Sequence, residues 1–264
     1  MYLELITKQV ANLSRAIGAY IKAESKNIHN KRIEDKGVND FVTEVDKNSE
    51  KKLVAELQKI LPEAGIIAEE GSDYERKDNY NWIIDPLDGT TNFIHGAQPY
   101  SISIGLMEKS RIVSGVVYEI NLNECFYAWQ KGGAYLNGHK ISTSQAPMVK
   151  DALVATGFPY SNFSRLDNYL DAFVYFMKNS HGLRRLGSAA VDLAYVACGR
   201  YDAFFEYGLK PWDVAAGSII VQEAGGIVAD FSGADNFVFG GELAAGNGLL
   251  ADEFIRILSD KFNS

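Results

Sequence analysis

The sequence predicts an α+β lobe followed by an α/β lobe, stacked in layers as one compact unit. Three observations predict it. Two amphipathic helices lead into a run of short strands as far as residue 145. From residue 146 to residue 264, strand-like and helix-like segments alternate instead. At 264 residues and 47% hydrophobic content, the chain can bury a large core without staples.

Leu5/Ile6, Val10, Leu13, Ile17 and Tyr20/Ile21 recur at spacings of three and four, so the chain opens with a helix. The stretch Asn27–Asn39 is polar. A second helix runs from near Thr43 to Ile60 and stops before Pro62, with Thr43 and Asp46 spaced as a capping box. Gly65–Glu69 and Trp82–Asp85 read as strands, as do Ile102–Leu106, Val113–Tyr118 and Cys125–Trp129, and Asn137-Gly138 marks a hairpin turn. The character changes near Ser144-Gln145-Ala146-Pro147, which places the lobes at 1–145 and 146–264. Beyond it come a strand at Ala152–Thr156, a helix over Arg165–Lys178, and an Ala-rich helix capped by Ser188 and ended by Gly199. Ala203–Glu206 is a strand and Trp212–Ala224 a helix; strands at Ile227–Asp230 and Leu243–Ala245 precede a last helix, Asp252–Phe262.

Lys and Arg number 26 against 34 Asp and Glu, a formal net charge of −8. A chain this acidic is not expected to hold nucleic acid or an anionic membrane surface, and an anionic substrate would require it to bring cations. No apolar run approaches the roughly 18 residues of a membrane span. Glu4, Lys8 and Arg15 interrupt the N-terminal apolar residues, unlike a secretory signal. Cys125 and Cys198 read as buried free thiols, and a cytoplasmic location is expected. His29, His95, His139 and His181 share no metal-ligand spacing with them, and no nucleotide-binding glycine fingerprint is present.

The chemistry concentrates in Asp85-Pro86-Leu87-Asp88-Gly89-Thr90-Thr91-Asn92-Phe93. An apolar strand delivers Asp85 at its carboxyl end, Pro86 fixes the turn, and Gly89 permits tight backbone geometry. Two carboxylates held within a few ångströms repel by about 4 kcal/mol at an effective dielectric of 20. An Asp-rich turn capping the following helix is the competing reading. Glu69 closes another strand and Asp213 opens a helix, where it would also suit the helix dipole. Should Glu69, Asp85, Asp88 and Asp213 converge, their charges demand multivalent cations, and an oxygen-only set suits Mg²⁺ best, with Mn²⁺ or Ca²⁺ as substitutes.

These residues, with Glu69-Glu70 upstream and Trp212-Asp213-Val214-Ala215-Ala216-Gly217 downstream, resemble the inositol monophosphatases. So do Gly187-Ser188-Ala189-Ala190-Val191-Asp192-Leu193 and Gly199-Arg200-Tyr201-Asp202-Ala203-Phe204-Phe205-Glu206, so the resemblance covers most of the chain. It implies a layered αβαβα sandwich of the sugar-phosphatase type, a homodimer, and Mg²⁺-dependent, Li⁺-sensitive hydrolysis of a phosphomonoester. It further implies that Glu69, Asp85 and the Leu87 carbonyl hold one metal, that Asp85, Asp88 and Asp213 hold a second, and that a third sits near Glu69. Glu69 and Thr90 would orient the attacking water, with Asp46 orienting Thr90. The amides of Gly89 and Thr90 would take the phosphate, and Asp88, Gly187, Ser188, Ala189, Glu206 and Asp213 the polyol. Lys36 matches a mobile-loop lysine of the family, although by itself it reads as a solvated charge; Arg184-Arg185 reads as a solvated surface pair.

The expected activity is hydrolysis of myo-inositol 1-phosphate. The alternatives are 3′-phosphoadenosine 5′-phosphate or fructose 1,6-bisphosphate as substrate and, from another class, a dimeric interaction or regulatory protein that retains the metal site.

Overall fold

The computed structural model describes residues 2–26, 33–37, 40–71, 74–159 and 162–262. Helix α1 (Leu3–Glu24) buries Ile6, Val10, Ile17 and Ile21, the stripe its periodicity predicts. The polar stretch that follows holds a strand: β1 (Ile33–Gly37) pairs antiparallel with β2 (Asp40–Thr43). No alternation of apolar residues in the sequence announces this ribbon. Lys36 lies in β1 by its backbone, with its side chain outside the described residues; His29 lies outside them altogether. Helix α2 (Glu44–Ile60) begins with the capping box expected of Thr43 and Asp46.

Seven strands then form the first sheet in chain order: β3 (Gly65–Ala68), β4 (Tyr80–Asp88), β5 (Ser101–Glu108), β6 (Arg111–Glu119), β7 (Glu124–Trp129), β8 (Gly133–Leu136) and β9 (His139–Ile141). Strand β3 runs parallel to β4, and each later pair is antiparallel. A short helix, α3 (Thr90–His95), follows β4. Strand β4 is longer than Trp82–Asp85: it continues through Pro86 and Leu87 to Asp88, with an irregularity in its pairing to β5 between Asp85 and Asp88.

The second sheet contains β10 (Leu153–Thr156), β11 (Gly182–Arg184), β12 (Ala203–Tyr207), β13 (Gly226–Ala229) and β14 (Glu242–Asn247), in the order β11-β10-β12-β14-β13. Strands β10, β11 and β12 are parallel, whereas β14 is antiparallel to both neighbours. The sheet is therefore mixed rather than purely α/β. A connection without a helix joins β13 to β14, so the chain returns antiparallel. The remaining helices are α4 (Leu166–Asn179), α5 (Ala189–Ala197), α6 (Pro211–Glu223) and α7 (Ala251–Phe262).

Five layers result. Helices α1 and α2 cover the outer face of the first sheet, α5 and α6 lie between the sheets, and α4 and α7 cover the second. The central position of α6 is written into its composition: Val214 through Val221 are all buried, as expected of a helix with no polar face. The first sheet admits α6 closely at Gly115, where a Cβ would stand 2.5 Å from the Ala216 carbonyl oxygen and 2.6 Å from Ile219 Cγ2. Cys125 is buried, as expected, whereas Cys198 is half-buried. Among the described residues no helix is long and apolar enough to cross a membrane.

Gly115→Ala forces that contact apart and is expected to destabilise the chain by about 1–3 kcal/mol. The measurement is urea unfolding, with a lower midpoint at unchanged slope.

Candidate active site

Strand β4 carries the site. Its segment Trp82–Leu87 is buried throughout because helices cover both faces of the sheet, and this fixes the exit of the chain at Asp85. The Asp85 carboxylate folds back on its own turn and accepts the Leu87 N–H at 2.9 Å. Gly89 then adopts φ 90°, the left-handed conformation that closes the turn and starts α3. The cross-strand partners of the two aspartates complete the scaffold: Asp85 pairs with Ser103 and Asp88 with Ser101. Ser103 Oγ donates to the Trp212 carbonyl at 2.9 Å, which pins the start of α6, and hence Asp213, beside β5.

Asp85 is only 2% exposed. Burial, then the charges of Glu69, Asp88 and Asp213, push its carboxyl well above the usual carboxylate range. Four acids separated by 16, 3 and 125 positions along the chain thus lie within electrostatic reach of one strand end. 

The donor set is made of oxygens alone, which suits a hard divalent cation. Among the described residues, no group of three or more His, Cys, Asp and Glu side chains lies close enough together to hold a metal ion as it stands. The carboxylates lie within electrostatic range of one another without closing round one point.

Asp88 faces the first turn of α5. Its Oδ2 accepts from Ser188 Oγ at 2.5 Å, from the Ala190 N–H at 2.9 Å and from Ser101 Oγ at 3.4 Å. Burial nonetheless dominates these hydrogen bonds and lifts Asp88 to about 6. Ser188 is thus both the cap of α5, accepting the Val191 N–H, and a tether from α5 to Asp88 at the end of β4. The Gly89 and Gly187 segments touch, since a Cβ at Gly89 would lie 3.3 Å from the Gly187 carbonyl oxygen. Asn92 secures this contact by donating to the Pro99 and Leu186 carbonyls at 2.7 and 2.8 Å. Ala189 follows Ser188 at the start of α5 and is buried.

On the other side, Thr90 Oγ lies 2.9 Å from Asp46 Oδ1 and 2.9 Å from the Leu87 carbonyl oxygen. Asp46 Oδ2 accepts the Thr43 N–H at 2.9 Å, so one aspartate caps α2 and reaches the loop after β4. Asp46 is buried, and burial raises its carboxyl despite the hydrogen bonds from Thr43 and Thr90. Asp213 likewise caps its own helix, its Oδ2 accepting the Lys210 N–H at 2.6 Å. Capping and site roles coincide in both residues.

Glu206 lies on β12 and is buried rather than exposed at a sheet edge. Burial and then the Asp213 charge raise it well above its ordinary value, with Arg185 opposing and Asp88 adding to the rise. Arg184 is exposed, but Arg185 is half-buried, with its guanidinium carbon 5.0 Å from the Phe158 ring centroid, so the two are not an equivalent solvated pair. The sequence reading missed three neighbours. Ser101 and Ser103 face the aspartates two residues apart on β5, a spacing visible only once the pairing with β4 is known. Asp192 is buried on α5, and burial, then Glu206 and Asp88, raise it well above its ordinary value; an acid in an Ala-rich helix is the signal that marks it.

Five alternating layers with an acidic loop at a strand end match the layered fold of the inositol monophosphatase structures. The chain belongs to the inositol monophosphatase family, whose model matches residues 2–261. It is similar to Nus factor SuhB of Pseudomonas aeruginosa, with 46% identity over 220 residues and 81% of each chain covered. Among solved structures it resembles the extragenic suppressor protein suhB from Bartonella henselae, with a TM-score of 0.91, 34% identity and 98% of each chain covered. It also resembles inositol monophosphatase from Anabaena (Nostoc) sp. PCC 7120, with a TM-score of 0.88 and 33% identity over 98% of this chain and 97% of that one. The family comprises phosphatase hydrolases that depend on Mg²⁺ in general.

A carboxyl whose folded value lies above its unfolded one binds its proton more tightly in the native state. The stabilising contribution of Asp88 is therefore full below its ordinary value of 3.8 and is lost as the pH climbs through about 6. In a chelator, the melting temperature is expected to fall between about pH 4 and pH 7, and added Mg²⁺ is expected to recover it at the upper end. A melting temperature that rises across this window contradicts the environment assigned to Asp88.

Proposed function

We propose that the chain hydrolyses a phosphomonoester, with myo-inositol 1-phosphate as substrate and Mg²⁺, two to three ions per site, as cofactor; Mn²⁺ is a possible replacement. The observation that carries this reading is the gathering of Glu69, Asp88 and Asp213 around buried Asp85. Membership of the inositol monophosphatase family supports it. The cations would be held by Glu69, Asp85, the Leu87 carbonyl, Asp88 and Asp213. When bound, they supply charge neutralisation at the phosphoryl oxygens and make water more acidic.

The protein's own groups do the rest. Thr90 has one hydroxyl proton and two acceptors at 2.9 Å, Asp46 and the Leu87 carbonyl. With the carbonyl engaged elsewhere, the proton goes to Asp46, and Thr90 Oγ presents a lone pair to the attacking water. Glu69 accepts a second hydrogen bond from that water and takes up its proton as the oxygen attacks phosphorus. The phosphorus–oxygen bond to the polyol breaks, the departing alkoxide oxygen takes a proton from a second water, and inositol and inorganic phosphate leave as Glu69 returns its proton to solvent. The amides of Gly89 and Thr90 are assigned to the phosphate. Asp88, Asp213, Glu206 and the Gly187-Ser188-Ala189 segment are assigned to the ring hydroxyls, which buried carboxylates recognise by accepting their protons. The reading carries with it a homodimer in the cytoplasm acting on a small phosphorylated polyol.

The name Nus factor, borne by the Pseudomonas aeruginosa relative, favours a second reading. In that reading the chain keeps its site but acts through its surface as an interaction or regulatory protein. Asp85→Asn separates the two: an enzyme loses turnover and biological effect together, whereas an interaction protein keeps the effect.

Phosphate release from inositol 1-phosphate is expected to vanish in a chelator, return with Mg²⁺ and fall when Li⁺ is added. It is expected to exceed release from 3′-phosphoadenosine 5′-phosphate and fructose 1,6-bisphosphate. Asp85→Asn is expected to lower kcat by about 10³-fold or more. Turnover that persists in the chelator overturns the proposal.

A further inference from the structure

We propose that Glu50, a buried acid on α2 outside the expected site, is the positioning residue that holds the turn carrying Glu69 against the metal-binding loop. The inference rests on the phosphatase reading above and deepens it.

Helix α2 presents Asp46 and Glu50 four residues apart, hence on one face. Asp46 reaches Thr90 in the loop after β4. One turn further on, Glu50 Oε2 accepts the Glu70 N–H at 2.8 Å. The other oxygen, Oε1, would lie 2.9 Å from a Cβ added at Gly71. The Tyr74 hydroxyl is hydrogen-bonded to the same carboxylate; burial, and then the Glu50 charge, push this phenol up. Glu50 therefore holds both the Glu70 amide and the Tyr74 hydroxyl.

Glu69 itself is tied from the opposite side, where its N–H donates to the Ile84 carbonyl of β4 at 3.2 Å. The peptide units on both sides of its Cα are thus anchored, one to β4 and one to α2. This matters because Glu69 is among the charges that repel Asp85. A turn held only at β4 would relax by swinging the Glu69 carboxylate outward. The anchor from α2 keeps it inward, as groups behind metal ligands commonly do.

A merely structural role fits the observations less well. Glu50 is 2% exposed, and burying a carboxylate is costly unless its hydrogen bonds are met. An apolar side chain of similar volume would serve packing alone as well or better. What an apolar side chain cannot do is fix the Glu70 amide in direction.

The test compares Mg²⁺ dependence in wild type, Glu50→Asp, Glu50→Gln and Gly71→Ala. Retracting the carboxylate by one methylene in Glu50→Asp is expected to raise the Mg²⁺ concentration for half-maximal rate by about tenfold. The kcat at saturating Mg²⁺ is expected to stay within about twofold, since the anchor acts on ligand position. Calorimetric titration with Mg²⁺ alone is expected to show the same loss of affinity without substrate. Glu50→Gln keeps a carbonyl oxygen for the Glu70 amide and is expected to restore near-wild-type affinity. Gly71→Ala drives a Cβ into the Tyr74 ring and to 2.9 Å from Glu50 Oε1, so it displaces both the carboxylate and its tyrosine partner; it is expected to reproduce the Glu50→Asp shift and carries the test where Glu50→Asp does not fold. Wild-type Mg²⁺ affinity in folded Glu50→Asp or Gly71→Ala overturns the inference, as does a loss of equal size in Glu50→Gln. Wild type that binds Mg²⁺ without hydrolysing inositol 1-phosphate sinks the function and leaves the titrations to decide this inference. Wild type that binds no Mg²⁺ overturns both.

Discussion

The repulsion among Glu69, Asp85, Asp88 and Asp213 is the constraint the rest of the structure answers. The acids come from three places: just past the end of β3, the last four residues of β4, and the first turn of α6. Left to solvent, such groups separate. Here the backbone and a set of neutral donors hold them: the Leu87 amide on Asp85, Ser188 and the Ala190 amide on Asp88, the Lys210 amide on Asp213. Neutral donors stabilise a carboxylate without cancelling its charge, so the pocket stays acidic and a cation remains the complementary ligand.

The layers explain why these donors stay in place. Strand β4 lies inside the first sheet with helices over both faces, so its exit is rigid. Strand β5 connects it to α6 through Ser103, and α5 reaches across to Asp88. The helices between the sheets therefore do two tasks. They fill the core, and their starts deliver Ser188 and Asp213 to the acidic end of β4.

Most of this was legible in the sequence where residues announce themselves locally. Thr43 and Asp46 showed their capping box, Gly89 its turn, and Val214–Val221 a helix without a polar face. Pairing was not legible. Ser101 and Ser103 gain their meaning only from the register that sets them opposite Asp88 and Asp85. The β1–β2 ribbon lacks the alternation that would reveal it, and the antiparallel β14 depends on a connection whose path spacing does not encode. The extension of β4 through Pro86 was hidden for another reason: proline normally ends a strand, and the irregular pairing there accommodates it. Arg184 and Arg185 look equivalent as letters, yet adjacent positions point to opposite sides, so only Arg185 meets Phe158.

The seating of α6 at Gly115 reaches beyond packing. The same helix that rests its middle against the glycine of β6 carries Asp213 in its first turn. Because a helix moves as a stiff unit, a push on its flank is shared by its first turn, and the thickness of the interior becomes a ruler for the spacing of the acids. Bulk added far from the loop would be felt as altered ion affinity. Residues that never approach a substrate thereby come under the same selection as those that do.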